Sequence, residues 1–78
     1  MKGFSKNPIG RDIEYILDAN PRVTVIRGCY CKYNCGSTWL TQLDRETITG
    51  GYNNYFKQAL IDAHDVAEKL ANGQDLIR

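Results

Sequence analysis

The stretch Asn7-Pro-Ile-Gly-Arg-Asp-Ile-Glu-Tyr-Ile-Leu-Asp-Ala-Asn-Pro21 decides how the rest of the chain is assembled. Its ends carry helix punctuation. Asn7 can cap free amide groups, and Pro8 suits a first helical position, where its missing N–H is no loss. Ile9, Ile13, Ile16 and Leu17 recur at helical spacing and form one apolar stripe. Arg11, Glu14 and Asp18 then point to solvent, and Tyr15 lies off the stripe. Asn20-Pro21 stops the element, because proline disfavours helical geometry in the residue before it. This reading predicts an N-terminal helix, with residues 1–6 as a loose arm ahead of it.

Beyond Pro21 the pattern changes to β-branched and aromatic side chains. Val23, Thr24, Val25, Ile26, Tyr30 and Tyr33 mark a strand over residues 22–33. Asn34-Cys35-Gly36 reads as a short hairpin loop and Ser37–Leu43 as the returning strand. Asp44-Arg45-Glu46 is a polar turn, Thr47-Ile48-Thr49 a short third strand, and Gly50-Gly51 breaks the pattern. The last helix runs from Tyr52 or Asn54 to Ala71. Tyr52, Tyr55, Phe56, Ala59, Leu60, Ala63, Val66, Ala67 and Leu70 gather on one face. Asp65 and Lys69 stand four apart, acid first, and Asn72-Gly73 closes the helix with Leu76 folding back on its last turn. The expected fold is α+β: an α-β-β-β-α chain, residues 1–78 forming a single small domain. Its three-stranded antiparallel sheet carries two helices packed on one face.

At 78 residues the chain is near the lower limit for one core without a staple, and 42% apolar with 24% charged residues is ordinary for a globular domain. The net charge of +1 divides into +3 over residues 1–33 and −2 over residues 34–78, far from the surplus of a dedicated nucleic-acid binder. No apolar run is long enough to cross a membrane and Met1–Lys6 lacks the apolar core of a signal peptide. With an odd number of cysteines, these features predict reduced thiols in a cytoplasmic protein.

Cys29, Cys31 and Cys35 are the most distinctive cluster. With Tyr33 opposite Ser37, Cys31 faces Trp39, Cys29 faces Thr41 and Arg27 faces Leu43. Strand alternation then puts Cys29 and Cys31 on the core face with Val23, Val25, Trp39 and Leu43, as small hydrophobes. The alternative is a small structural zinc domain, with Cys29, Cys31, Cys35 and His64 as ligands, although Cys-x-Cys on a regular strand needs local distortion. No cofactor is otherwise expected. One histidine without a neighbouring nucleophile does not make a catalytic constellation, so the chain reads as non-enzymatic.

The opposite sheet face carries Thr24, Ile26, Tyr30, Lys32, Thr38, Leu40 and Gln42, more apolar than a solvated face requires. Ile26, Tyr30, Lys32, Tyr33 and Leu40, with Tyr52 and Asn54 at the last helix start, are the candidate binding residues. The function they imply is binding to another protein or protein complex, as a small regulator or inhibitor. A phage-encoded inhibitor of bacterial defence such as an anti-CRISPR protein is one example, and a homodimer through the open face is a further possibility. A nucleic-acid-binding module is the alternative, with Arg22, Arg27 and Lys32 as cations and Tyr30 and Tyr33 as stacking groups.

The α-β-β-β-α order, with Ile48-Thr-Gly-Gly-Tyr-Asn-Asn-Tyr-Phe-Lys-Gln-Ala59 leading into the last helix, is similar to the double-stranded-RNA-binding domain. That resemblance implies a phosphate grip at the helix start. Asn53, Asn54 and a single Lys57 stand here where that family has a lysine cluster, and Asp62, Asp65 and Glu68 follow.

Overall fold

The computed structural model describes residues 3–10, 12–28 and 38–73. The fold is α+β with an antiparallel sheet. Among the described residues five strands, β1 (Phe4–Ile9), β2 (Asp12–Leu17), β3 (Val23–Gly28), β4 (Thr38–Leu43) and β5 (Glu46–Asn53), precede one helix, α1 (Phe56–Ala71). The strands lie in chain order, each antiparallel to the next. The expected N-terminal helix is a β-hairpin, so among the described residues there are two more strands and one fewer helix than predicted. The resemblance to the RNA-binding topology ends there: among the described residues no helix precedes the sheet, and Asn53 belongs to β5.

Two periodicities compete in residues 9–17, and the shorter one wins. Ile13, Tyr15 and Leu17 alternate with Asp12, Glu14 and Ile16, and β2 uses that alternation. Tyr15 and Leu17 join the core, whereas Ile9 and Ile13, half of the supposed helical stripe, stay exposed. Gly10, at φ +59°, sits in the connection between the paired Ile9 and Asp12. Pro8 is tolerated because β1 has a neighbour on one side only among the described residues. Nor is the N-terminus a loose arm from residue 4 onward. Phe4 pairs with Leu17 and is buried, and the Asp18 N–H donates to the Gly3 carbonyl at 2.9 Å.

The central hairpin keeps the expected faces in a different register. Arg27 pairs with Trp39 and Val23 with Leu43, so Arg27 is four residues away from its expected partner Leu43. Because side chains alternate with period two, an even shift leaves the described residues of β3 and β4 on their expected faces. Cys29, Cys31, Cys35, Tyr30, Lys32 and Tyr33 lie outside the described residues.

Glycines 50 and 51 do not end the third predicted strand; they bend it. The β4–β5 register shifts between Leu40 and Gln42, and Gly50 at φ +77° provides the bulge that carries the strand on to Asn53. Consequently Tyr52 lies in β5 rather than on the helix. Helix α1 starts at Phe56 and ends at the Asn72-Gly73 cap, with Gly73 at φ +79°.

Leu17, Val23, Val25, Leu43 and Ile48 from the sheet meet Ala59, Ala63 and Val66 from the helix, with Phe4 at one end. The small side chains of Ala59 and Ala63, both fully buried, let the helix approach the sheet closely. One polar atom interrupts this layer: Thr41 is fully buried and its Oγ1 has no hydrogen-bond partner. Thr41→Val removes that orphan at nearly constant shape and is expected to raise stability by about 1–2 kcal/mol in urea unfolding.

Candidate functional site

The sheet places the predicted binding residues unequally. Leu40 is only 8% exposed, folded against Gly28, where an added Cβ would stand 2.7 Å from Leu40 Cδ1. Thr24 and Thr38 on the same face are also buried, so the centre of this face is not the open apolar patch the sequence suggests. Ile26 is half-buried. Tyr52 and Asn54 are exposed, and Tyr55, placed by the helical periodicity on the apolar face, is exposed too, with Ile61 on the helix.

Of the three cations assigned to nucleic acid, Lys32 lies outside the described residues, and Arg22 and Arg27 are engaged within the fold. Arg22 Nε and Nη2 donate to Asp44 Oδ1 and Oδ2 at 3.0 and 2.8 Å. That hydrogen bonding, and then the Asp44 charge, hold the Arg22 guanidinium above its ordinary pKa. Arg27 lies over the Trp39 ring, 5.5 Å from its centroid, and Trp39 in turn packs on Phe56 at 4.5 Å. His64 packs edge-on against Phe4 with ring centroids 5.3 Å apart. Phe4 is at the end of the sheet opposite Gly28 and Thr38, which flank the cysteine segment. Among the described residues no group of three or more His, Cys, Asp or Glu side chains is placed to hold a metal. No described helix is long and apolar enough to cross a membrane.

A second site is formed by residues to which the sequence assigns no common role. Glu14, Ile16 and Thr24 from the strands, with Arg22, Asp44 and Arg45 from the turns, line a cleft of about 330 Å³. Glu14, expected to point to solvent from a helix, is 2% exposed. Its Oε1 accepts from Asn7 Nδ2 at 3.1 Å and lies 3.6 Å from Arg45 Nη2. Thr24 Oγ1, buried in the same cleft, has no hydrogen-bond partner.

No family model, curated protein or solved structure matches this chain. Function therefore rests on the surface chemistry itself.

One local outlier belongs to the cleft. Asp44 and Arg45 connect the paired Leu43 and Glu46 in two residues, with φ of +53° and +69°. Such a turn favours Asn-Gly; an L side chain there costs about 1–2 kcal/mol. The turn is legible in the sequence as Asp44-Arg45, but its tightness is not, because the polar turn was read through Glu46. Arg45→Gly is expected to raise stability by about 0.5–1 kcal/mol, the relieved strain exceeding the loss of a pair whose arginine is 72% exposed. A shift of the urea midpoint to higher concentration at constant slope is the expected reading.

Proposed function

We propose that this domain is a non-enzymatic binding protein that acts by holding another protein through the junction of β5 and α1. The observation that carries this reading is Tyr55. It occupies the N-cap of α1 with no side-chain hydrogen bond to the helix and is 75% exposed. A Ser, Thr, Asp or Asn there would satisfy a free amide and stabilise the helix. The position instead holds a large amphipathic ring, with Tyr52 49% and Ile61 56% exposed on the neighbouring strand and helix. Tyrosine provides large contact area with few rotatable bonds and is enriched where proteins bind each other. A regulator or inhibitor of a larger assembly is consistent with so small a domain presenting such a surface.

Tyr55→Ser separates binding from folding. It restores a cap and is expected to stabilise the domain by about 1 kcal/mol. Combined with Tyr52→Ala, it should abolish capture of the partner from the source cell, as compared by quantitative mass spectrometry with the unaltered protein. Equal recovery of the same proteins by the double variant would rule this surface out.

A further inference from the structure

We infer that the cleft between the turns preceding β3 and β5 binds an organic cation, a guanidinium or primary ammonium group, which displaces Arg45 from the Glu14 carboxylate. Three observations converge on it, independently of the β5–α1 surface. First, Glu14 is almost fully buried but incompletely paired. Among the described residues both of its contacts fall on Oε1, from Asn7 at 3.1 Å and from Arg45 at 3.6 Å, which leaves Oε2 for another donor. The Arg45 separation is longer than a charge-assisted hydrogen bond, normally about 2.7–2.9 Å. Second, Thr24 Oγ1 is buried in the same cleft as an unused acceptor or donor. Third, Arg45 reaches Glu14 from a left-handed backbone position that disfavours any L side chain, and its own side chain is 72% exposed.

These features describe a carboxylate site with a loosely held internal occupant. A ligand cation donating to Oε2 and Thr24 would replace a long ion pair by shorter hydrogen bonds, while Arg45 swings into water. An anion does not fit. It would meet the buried Glu14 carboxylate in the cleft lining, and Arg22 already spends two hydrogen bonds on Asp44. Glu14 lines the cleft together with Ile16, whose apolar surface suits the methylene stem of an arginine- or lysine-like cation.

The experiment is titration of the ¹⁵N-labelled protein, in amine-free buffer at low salt, with agmatine and with a short end-blocked peptide carrying one arginine. Saturable shifts at Glu14, Thr24 and Arg45 are expected. Arg45→Gly should tighten binding about two- to fivefold by removing the competitor. Thr24→Val should weaken it roughly fivefold, and Glu14→Gln should abolish it with the spectrum still folded. Tighter binding of the peptide than of agmatine assigns the cation to a polypeptide partner; the reverse assigns it to a free amine. Absence of saturable shifts in both the unaltered protein and Arg45→Gly overturns the inference. Weaker binding in Arg45→Gly overturns it too, since Arg45 would then support the added cation rather than compete with it. That sign decides the matter even if Glu14→Gln does not fold.

Discussion

Leu17→Ala should lower the stability of this domain by about 2–5 kcal/mol, the range for a large-to-small change in a core. Leu17 is fully buried, pairs with Phe4 across the β1–β2 hairpin and belongs to the same cluster as Val23, Val25 and the helix residues Ala63 and Val66. A domain of this size has a total stability of about 4–12 kcal/mol, so the variant loses a large part of it. Urea unfolding followed by circular dichroism reads the effect as a large fall in midpoint. The contrast with Ile13 makes the measurement specific to the strand. A helix over residues 9–17 buries both side chains, whereas β2 buries Leu17 and leaves Ile13 37% exposed. Ile13→Ala should therefore cost under about 1 kcal/mol. Equal losses at the two positions would contradict the hairpin.

Gly51→Ala is expected to destabilise by about 3 kcal/mol, the upper end of ordinary overpacking. A Cβ at this buried position would lie 2.6 Å from the Thr41 carbonyl oxygen and 2.9 Å from Ile48 Cγ1. The Thr41 oxygen is backbone of the neighbouring strand, so it moves only if the β4–β5 pairing moves. Gly28→Ala meets a comparable distance, 2.7 Å, but from the tip of Leu40, which can rotate. Its cost should stay near 1 kcal/mol or below. Gly50→Ala differs again: nothing lies within 4 Å, and the penalty of about 1–2 kcal/mol comes from φ +77° alone. Thermal melts should place Gly51→Ala lowest, Gly50→Ala next and Gly28→Ala nearest the unaltered protein. A Gly51→Ala melt matching the unaltered protein would mean that the bulge is placed elsewhere.

Much of the C-terminal half was legible residue by residue. The apolar periodicity of Phe56, Ala59, Leu60, Ala63, Val66, Ala67 and Leu70 matches the buried or half-buried side of α1, and Asn72-Gly73 closes it. Asp65 and Lys69 pair at 3.0 Å as the spacing predicts. The faces of β3 and β4 were also legible, because the alternation of Val23, Val25, Trp39 and Leu43 survives a register error of even length. Tyr52 was misplaced because a glycine pair signals both the end of a strand and a bulge within one. The cation cleft was hidden for a related reason. Glu14 is a surface residue in a helix and a buried one in β2, so its role appears only after that choice is made.

Local pattern alone is enough for the helix α1, the two faces of β3 and β4, and the breaks at Asn20-Pro21, Asp44-Arg45 and Asn72-Gly73. Each of these follows from neighbours along the chain: side-chain period, β-branching, and Gly, Asn or Asp at the breaks. For residues 7–21 the choice between helix and hairpin is made by long-range packing. The same four apolar side chains satisfy one helical stripe locally, but pairing Tyr15 with Val25 and Phe4 with Leu17 places Leu17 and Phe4 in the core beneath α1. That burial, contributing roughly 25 cal/mol per Å² of apolar surface, involves residues distant in sequence and so is absent from any local pattern. The juxtaposition of Glu14, Thr24 and Arg45 has the same origin, since three separate segments meet on one face only once the strands are ordered.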